Sequence, residues 1–300
     1  MKLINSSYEI VEPKSYSLED VYKHIEFCSR VCYKSEDKIT PDSSTKFVER
    51  MIKSAHMSTL EHGTIYLYRE FELPAHNTTT SGEYHVEYYT WAQPYKDNPY
   101  SVVSVLYRQD GIAQVYVTTN YRVIVENALD DDLKYMVDQP MDHHERRYTV
   151  RFIMDRIGSQ SFCRHRHFSF SQESTRYCNY SKDKFGNEIT FIKPCFLDDS
   201  KLALYGPYHT VIRDESPESI FIASLNNAEK DYIDLIGLGW KPQEARAVLP
   251  NALKTELIMT GFASDWGHFF SLRDDSRAHP DAQKLAKPLH EEFINRKYID

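Results

Sequence analysis

The sequence has 300 residues, of which 41% are hydrophobic and 27% are charged. This length and composition are typical of a globular chain that is large enough for one substantial core or two small ones. Its 36 lysines and arginines are outnumbered by 44 aspartates and glutamates, so the formal net charge is −8. A global positive field that would bind a nucleic acid polymer is therefore excluded, and any bound anion must be held by a local cluster of cations.

The chain shows no sign of a membrane or secretory segment. No apolar run reaches the ~20 residues that a membrane helix requires. The first residues, MKLINSSYEIVEPK, lack the apolar centre of a secretory signal. We therefore expect a cytoplasmic protein without a membrane partner. The five cysteines are an odd number without the spacing of a disulfide framework, so we expect free thiols.

Hydrophobic spacing predicts the first elements. Ser17 is the expected N-cap of a helix with Val21 and Ile25 on one face, and a second helix is expected to begin near Pro41. The stretch SAHMSTLEHG that follows is typical of a polar turn. TIYLYREFEL then alternates apolar with polar residues, which predicts a half-buried strand.

A change of texture marks the next region. From Pro74 to Tyr148 the sequence is rich in tyrosine and poor in leucine. Asp110-Gly111 is a dipeptide of the kind that closes a hairpin, here between YSVVSVLY and AQVYVTT. We interpret residues 74–148 as an inserted substructure, a peripheral subdomain in preference to an aromatic lid over a binding site. Since no repeat, low-complexity tract or linker is evident, we expect one domain over residues 1–300 that carries this insertion.

The second half of the chain predicts a further strand and several helices. RRYTVRFIM reads as a strand that leads into a short helix. Ser216 begins a long helix, and a shorter one carries Arg246. A helix over residues 264–272 places Arg273 at its end, and Pro280 opens the last helix. Because strands and helices lie in separate blocks, we predict an α+β fold.

The densest polar stretch is RHRHFSFSQESTRY, residues 164–177. Guanidinium groups match the geometry of phosphate and stay charged at any working pH. If the chain folds back after the first arginines, Arg176 and the Ser174 hydroxyl can converge on one phosphate while Arg164 or Arg166 reaches a second group. The alternative is that these arginines form surface salt bridges. Exposed pairs stabilise the folded protein by only ~0 to 1 kcal/mol each, so this role explains the density of arginines less well. The stretch therefore predicts an anion-binding site.

Other chemistries have weaker support. No glycine-rich dinucleotide loop, P-loop, zinc-protease motif or serine-hydrolase elbow occurs, so a nucleotide must be held by side chains. A zinc site would need Cys163, His165, His167 and Cys178. On a helix the two histidines would point ~200° apart, which disfavours chelation. Cys178 or Ser174 as a nucleophile is a further alternative, although neither has an evident base beside it.

The same stretch resembles the signature of the flavin-dependent thymidylate synthases, R-H-R-x-x-S-x-N-x-x-S-x-R-Y. It departs from that pattern at Ser171, where the family often has asparagine. HMSTLEH resembles the family's H-x-T-x-x-E-H turn, with Ser58 in place of threonine. EARAVLP resembles its A-R-x-V-L-P helix and FFSLRDDSRAH its L-R segment, and the four blocks follow in the family's order. A second departure is Ser161, with Gln160 beside it, where the family has a glutamine that contacts the pyrimidine.

The resemblance implies a homotetramer built on an antiparallel sheet flanked by helices, with FAD bound where subunits meet. It also implies the reductive methylation of dUMP to dTMP. The carbon donor would be 5,10-methylenetetrahydrofolate and the reductant NADPH, acting through FAD. The partners would then be these small molecules and further copies of the chain. A non-catalytic nucleotide-binding regulatory protein is the alternative that stays open.

Residue roles follow from matching positions in the resemblance. The residues expected to contact FAD are Ser58, Glu61, Arg164, His165, Arg166, His167 and His268. The residues expected to hold the nucleotide are Arg164, Gln172, Glu173, Ser174, Thr175, Arg176, Arg246 and Arg273. Arg273 is the candidate catalytic residue, because a guanidinium at the N1/O2 edge of uracil stabilises the charge that develops there as electron density moves to carbon 5. His56 and His62 either orient the cofactor or are hydrogen-bonded structural residues.

Overall fold

A computed structural model describes residues 1–73, 86–198, 200 and 216–299 of the chain. The strands in these ranges are β1 (Lys2–Ile4), β2 (Ser7–Ile10), β3 (Thr64–Glu72), β4 (Val102–Tyr107), β5 (Ile112–Asn120), β6 (Arg147–Asp155), β7 (Ser169–Gln172), β8 (Thr190–Ile192) and β9 (Lys254–Phe262). The α-helices are α1 (Leu18–Val31), α2 (Ser43–Lys53), α3 (Val86–Lys96), α4 (Tyr121–Glu126), α5 (Arg156–Phe162), α6 (Pro217–Gly237), α7 (Pro242–Ala245), α8 (Ala263–Arg273) and α9 (Pro280–Asn295). In these ranges helices are combined with two antiparallel sheets and with a short parallel pair, β1-β8, in agreement with the α+β prediction.

The central sheet has four antiparallel strands in the order β2-β6-β9-β7. Its β6 is the strand predicted from RRYTVRFIM, and it pairs with β9 along its whole length. Alternate residues of β9 point to opposite faces of the sheet. Leu257 and Met259 pack in the cluster that contains α8 and α9, whereas Ile258 packs against Cys28 and Val31 of α1. The sheet is therefore a layer between helices, and both of its faces are buried at β9.

A second antiparallel sheet has the order β3-β5-β4. The predicted hairpin is confirmed: β4 and β5 flank Asp110-Gly111, and Gly111 has a φ of +79°, a left-handed conformation that favours glycine. The sheet begins at Thr64, which lies before the region 74–148 that was predicted as an insertion. Its core is shared with α1 and α2, through residues such as Val21 and Phe47. The hairpin region is therefore packed on the first two helices of the chain.

The predicted alternation along β3 is wrong in its first half. Ile65 and Leu67 are buried as expected, but Tyr66 between them is also fully buried. The Tyr66 hydroxyl accepts a hydrogen bond from the backbone N–H of Arg147, and its ring packs edge-on against Tyr16. A polar end that finds a partner allows a tyrosine to be buried on the face that the pattern assigned to solvent.

The helices predicted outside residues 74–148 are present, whereas α3 and α4 within that region were not predicted. The prediction that a helix carries Arg246 is wrong by one residue, because α7 ends at Ala245 and Arg246 begins a 3-10 turn. Ser17 caps α1 by accepting a hydrogen bond from the backbone of Asp20, and Ser216 caps α6 in the same way. The segment predicted as a polar turn contains a 3-10 helix, Met57–His62, in which His62 is buried. All five cysteines are free, as expected. No helix in the described part of the chain has the length and apolar character needed to cross a bilayer.

Candidate functional site

The polar motif begins in a pair of turns between α5 and β7. α5 starts at the side-chain cap of Asp155 and ends at Phe162. The backbone of His165 then bonds back to Phe162, and that of Phe168 bonds back to His165. These turns bury His165 and leave His167 with a side chain that is 85% exposed. The two histidines therefore diverge, although the stretch is not helical.

Arg273 and His165 form the central contact of the site. Arg273, at the end of α8, donates from Nε to His165 Nε2 at 3.0 Å and from Nη2 to the Ser161 carbonyl at 2.7 Å. Burial, together with the charge of Arg273 and the nearby His268, lowers the pKa of His165 to about 4. His165 is therefore neutral near pH 7, and its Nε2 lone pair is free to accept from the guanidinium.

A cleft of about 310 Å³ opens beside this contact. Its walls come from the motif turns and from α8, and comprise Arg164, His165, Arg166, His167, Phe168, Asp265, His268, Leu272 and Arg273. His167 Nδ1 lies 3.3 Å from the carboxylate of Asp265 across the cleft. Most of the residues predicted to contact FAD are thus brought together here. Ser58 and Glu61 lie on the Met57–His62 turn and do not line the cleft.

The second half of the motif forms a separate group at the end of β7. Arg246, which follows α7, donates from Nη1 to the Thr175 hydroxyl at 3.1 Å. The Ser174 hydroxyl accepts from the backbone N–H of Arg176 at 3.3 Å, while the Ser174 N–H donates to the Cys32 carbonyl. The Arg176 guanidinium is exposed and lies 5.4 Å from the centre of the Tyr177 ring. This group presents a hydroxyl and two guanidiniums, which are the donors that a phosphate requires.

Two motif residues turn their side chains into the protein. Gln172 Nε2 donates to the Ser159 hydroxyl at 2.7 Å. Glu173 is buried, and its carboxylate binds Lys254 Nζ at 2.7 Å and the Tyr180 hydroxyl at 3.0 Å. Both were predicted to contact the nucleotide, and in this arrangement they support the motif strand from beneath.

The electrostatics of the motif distinguish it from an ordinary charged surface. The side-chain contacts described for Arg246 and Arg273 go to uncharged groups, and Arg176 lies over an aromatic ring. Burial lowers the pKa of Arg273, and the positive charge of the nearby Arg164 lowers it further. Within the described ranges, no carboxylate forms an ion pair with any arginine of the predicted site, namely Arg164, Arg166, Arg176, Arg246 and Arg273. Their charge is therefore available to an anionic ligand.

A buried polar chain behind the motif was not predicted from the sequence. His62 Nε2 is 2.9 Å from the Ser171 hydroxyl, and its Nδ1 is 2.8 Å from the Thr260 hydroxyl. The hydrogen-bond chain continues from the Thr260 hydroxyl to the Thr149 hydroxyl at 2.8 Å, and from the Thr149 hydroxyl to His24 Nε2 at 3.0 Å. Of the two roles considered for His62, its full burial favours the structural one. Five residues spread over most of the chain build this network, and spacing gives no signal of it.

Arg147 is a second feature that the sequence did not single out. Its guanidinium is buried and donates to the Thr64 hydroxyl, the Glu61 carbonyl and, at 3.4 Å, the Ser169 hydroxyl. Its Nε is buried and has no hydrogen-bond partner among the residues that the structure describes. Arg147 therefore ties the Met57–His62 turn to the start of β7, directly after Phe168 of the cleft.

The rival chemistries gain no support from these positions. Burial raises the pKa of Cys178 to about 12, so its thiol is protonated at neutral pH and is a poor nucleophile. Among the described residues, no three histidine, cysteine, aspartate or glutamate side chains are arranged to hold a metal ion.

The fold and the motif together define an α+β protein whose motif arginines form no ion pair with the described carboxylates. The model of the family described as "Thymidylate synthase complementing protein" matches residues 96–296. Because that match covers more than half of the chain, the protein belongs to this family.

Named relatives agree with the family match. A "Flavin-dependent thymidylate synthase" of Mycolicibacterium gilvum is 32% identical over 139 residues, which are 44% of this chain and 51% of the relative. One of Halobacterium salinarum is 24% identical over 212 residues, 63% of this chain and 80% of the relative. One of Pyrococcus furiosus is 26% identical over 185 residues, 61% of this chain and 69% of the relative. The chain thus spans about half the length of the first of these relatives and more of the other two.

Proposed function

We propose that the protein is a flavin-dependent thymidylate synthase. In this reaction dUMP is reductively methylated to dTMP, with 5,10-methylenetetrahydrofolate as carbon donor and NADPH as reductant through FAD. The observation that carries the proposal is the set of motif arginines, which form no ion pair with the described carboxylates and which are grouped around a cleft and a strand end. Family membership and the printed names of the relatives support it. A cytoplasmic location is part of the proposal.

The donor set of the cleft fits part of a flavin dinucleotide. Arg164 and Arg166 are exposed at its rim and would neutralise the pyrophosphate, while His165 and His268 line its wall. A volume of about 310 Å³ is at the lower end of small-ligand pockets, and a dinucleotide needs more enclosing surface than one such cleft provides. When bound, FAD would supply the hydride that completes the methyl group.

The strand-end group fits the phosphate of dUMP. Arg176 and Arg246 would bind its oxygens together with the Ser174 hydroxyl, and Thr175 holds Arg246 in place at 3.1 Å. Glu173 and Gln172 fix the strand that carries these donors, through Lys254 and Ser159 respectively. In this proposal Gln172 and Glu173 act on the nucleotide indirectly, because they fix the backbone that carries the phosphate donors.

Arg273 is the residue proposed to act on the pyrimidine. A guanidinium placed at the N1/O2 edge would stabilise negative charge that develops there during the reaction, an effect of ~3 to 4 kcal/mol for a preorganised donor. The contacts to His165 and Ser161 use Nε and Nη2. Nη1 has no hydrogen bond to a described residue and would be the atom that meets the pyrimidine. Because His165 is neutral, it orients Arg273 without cancelling its charge.

Assembly into a homotetramer is also part of the proposal. The cleft and the strand-end group are separate clusters, and no hydrogen bond described in the chain joins their arginines. If both hold parts of one reaction site, a second copy of the chain has to bring its strand-end group to the cleft. This arrangement would also supply the missing walls of the flavin pocket.

Absorption of the purified protein tests the proposal. We expect a yellow protein that takes up FAD, whose flavin is bleached by NADPH under anaerobic conditions and is reoxidised only when dUMP and methylenetetrahydrofolate are both added, with formation of dTMP. A protein that binds FAD and dUMP but forms no dTMP would be the non-catalytic nucleotide-binding alternative. A protein that binds neither would contradict both functions.

A further inference from the structure

One side chain connects the second sheet to the predicted flavin residues. Arg122 lies in the first turn of α4, which directly follows β5. Its Nη1 donates to Glu61 Oε1 at 2.6 Å, and its Nε donates to Glu126 Oε1 at 2.9 Å. The Glu61 side chain is only 15% exposed and that of Arg122 is 36% exposed. The contact is therefore partly shielded from water, where a charged hydrogen bond is stronger than at an open surface.

The backbone fixes the position from which Arg122 reaches Glu61. The side chain of Asn120 caps α4 by accepting from the N–H of Val123 at 3.2 Å. The N–H of Tyr121 donates to the carbonyl of Gly63, which directly follows the turn that contains Glu61. The start of α4 is thus tied to the end of that turn, and the geometry of the Arg122–Glu61 pair is set by the sheet.

Glu61 is in turn linked to the cleft. Its carbonyl accepts from Arg147 Nη2 at 3.1 Å, and the same guanidinium reaches Ser169, the residue that follows Phe168 of the cleft wall. One arginine therefore holds the backbone of Glu61 and another holds its carboxylate. Within the described residues, Glu61 Oε2 has no hydrogen-bond partner, so this atom is available to accept from a ligand.

Charge decides what this cluster can bind. Around the Glu61 carboxylate, Glu61 and Glu126 carry two negative charges against the single positive charge of Arg122, while Arg147 bonds the Glu61 backbone carbonyl, so the carboxylate side of the cluster does not attract a phosphate. A carboxylate oxygen held in a fixed direction instead accepts a hydrogen bond from an N–H or O–H group. The flavin ring and its ribityl chain offer such donors.

We propose that Arg122 is a positioning residue, through which the β3-β5-β4 sheet holds the Glu61 carboxylate in the direction needed to accept a hydrogen bond from FAD. This inference rests on the proposed function and on Glu61 as a flavin contact, which the resemblance of its turn implies although Glu61 does not line the cleft. The β3-β5-β4 sheet then has a role in cofactor binding without covering the site as a lid, because Arg122 acts through Glu61 and does not itself contact FAD.

The test is a double-mutant cycle on FAD affinity, measured by quenching of flavin fluorescence in the full-length chain. Arg122→Gln is expected to weaken FAD binding by about tenfold, the size that follows from loss of one well-placed charged hydrogen bond. Arg122→Lys keeps the charge and should recover part of the loss. In a Glu61→Gln background, Arg122→Gln should cause no further loss, since the two residues act in series.

The matched control is Glu126→Gln, which removes the other partner of Arg122 and should leave FAD affinity at the wild-type value. An Arg122→Gln protein with wild-type affinity would overturn the proposal, as would an equal loss in the Glu61→Gln background. If Arg122→Gln does not fold, the FAD affinities of Arg122→Lys and Glu126→Gln are compared instead. Equal affinities of these two variants would overturn the proposal. If the wild-type chain binds no FAD, the proposed function fails instead.

Discussion

At the scale of single residues, Arg176 has the clearest consequence. Its guanidinium is exposed and rests on the Tyr177 ring, so it stabilises little in the free protein. Arg176→Ala should therefore leave folding intact while it weakens dUMP binding by ~2 to 3 kcal/mol, through loss of a charged phosphate contact. Isothermal titration with dUMP measures this.

The control for that change is Arg108→Ala, which removes an exposed arginine at the β4-β5 turn that pairs with Asp110. Its dissociation constant for dUMP should equal that of the wild type. An unchanged constant for Arg176→Ala would remove the phosphate role from this residue.

Ser171 shows how the departure from the family signature is accommodated. It is buried, and its hydroxyl lies 2.9 Å from His62 Nε2. Asparagine is larger, and in this core it would have to displace His62. Ser171→Asn should thus lower the free energy of unfolding by ~1 to 3 kcal/mol, the usual cost of overpacking.

Urea denaturation followed by circular dichroism checks this change, with Ser224→Asn on the exposed face of α6 as the control, expected within ~0.5 kcal/mol of wild type. Equal stability of Ser171→Asn and wild type would mean that the space beside His62 admits the longer side chain.

At the scale of elements, the close approach of β9 to the motif turns shapes the cleft. A Cβ added at Gly261 would lie 2.6 Å from two atoms of the Phe168 ring, which itself packs edge-on against Trp266 at 4.7 Å. Phe168 lines the cleft, so it cannot move without changing the site. Gly261→Ala should reduce unfolding free energy by ~1 to 3 kcal/mol and should weaken FAD binding.

Gly237→Ala is the matched control, because a Cβ built there at the end of α6 meets no described atom within 4 Å apart from the neighbouring backbone of its own helix. Its thermal midpoint should equal or exceed that of the wild type, since alanine is the better helix former. If the two alanine variants had the same stability and FAD affinity, Phe168 would not be constrained by β9.

Helices and strands whose apolar residues recur with a clear period were predictable from the sequence, whereas the residues that pack against them were not. α1 buries Val21 and Ile25 as their spacing predicted, because a helix face is defined by neighbours along the chain. The burial of Tyr66 depends on Arg147 and Tyr16, which lie far from it in sequence. The Arg122–Glu61 pair depends on the register of β3 with β5 in the same way.

At the scale of the whole molecule, the motif identified the chemistry but not its layout. Arg164 and Arg176 are close in sequence, yet they lie in separate groups because β7 runs between them. Convergence of the four guanidiniums at 164, 176, 246 and 273 on one nucleotide stays a prediction about the assembled protein. Motifs and hydrophobic periods identify residue types and elements along one chain. They do not predict which surfaces of two copies of the chain lie together.

The buried polar chain that spans the central sheet makes folding sensitive to pH. Burial lowers the pKa of His24 to about 4 and that of His62 to about 3, so both are neutral in the native protein. In the unfolded chain a histidine has a pKa of about 6.5. As the pH falls from about 6.5 toward 4, the unfolded state therefore takes up protons that the native state does not, and stability is lost.

Each such histidine contributes a slope of up to about 1.4 kcal/mol per pH unit in that window. The free energy of unfolding, measured by urea titration at intervals from pH 7 to pH 5, should therefore fall more steeply for the wild type than for His24→Gln. Glutamine still bonds the Thr149 hydroxyl but does not titrate, so a lower absolute stability of this variant does not disturb the comparison of slopes. Replacement of the exposed His143 by glutamine controls for removal of a histidine as such. Parallel curves for wild type and His24→Gln would show that His24 is protonated in the native core. His24 Nε2 would then have to donate to the Thr149 hydroxyl.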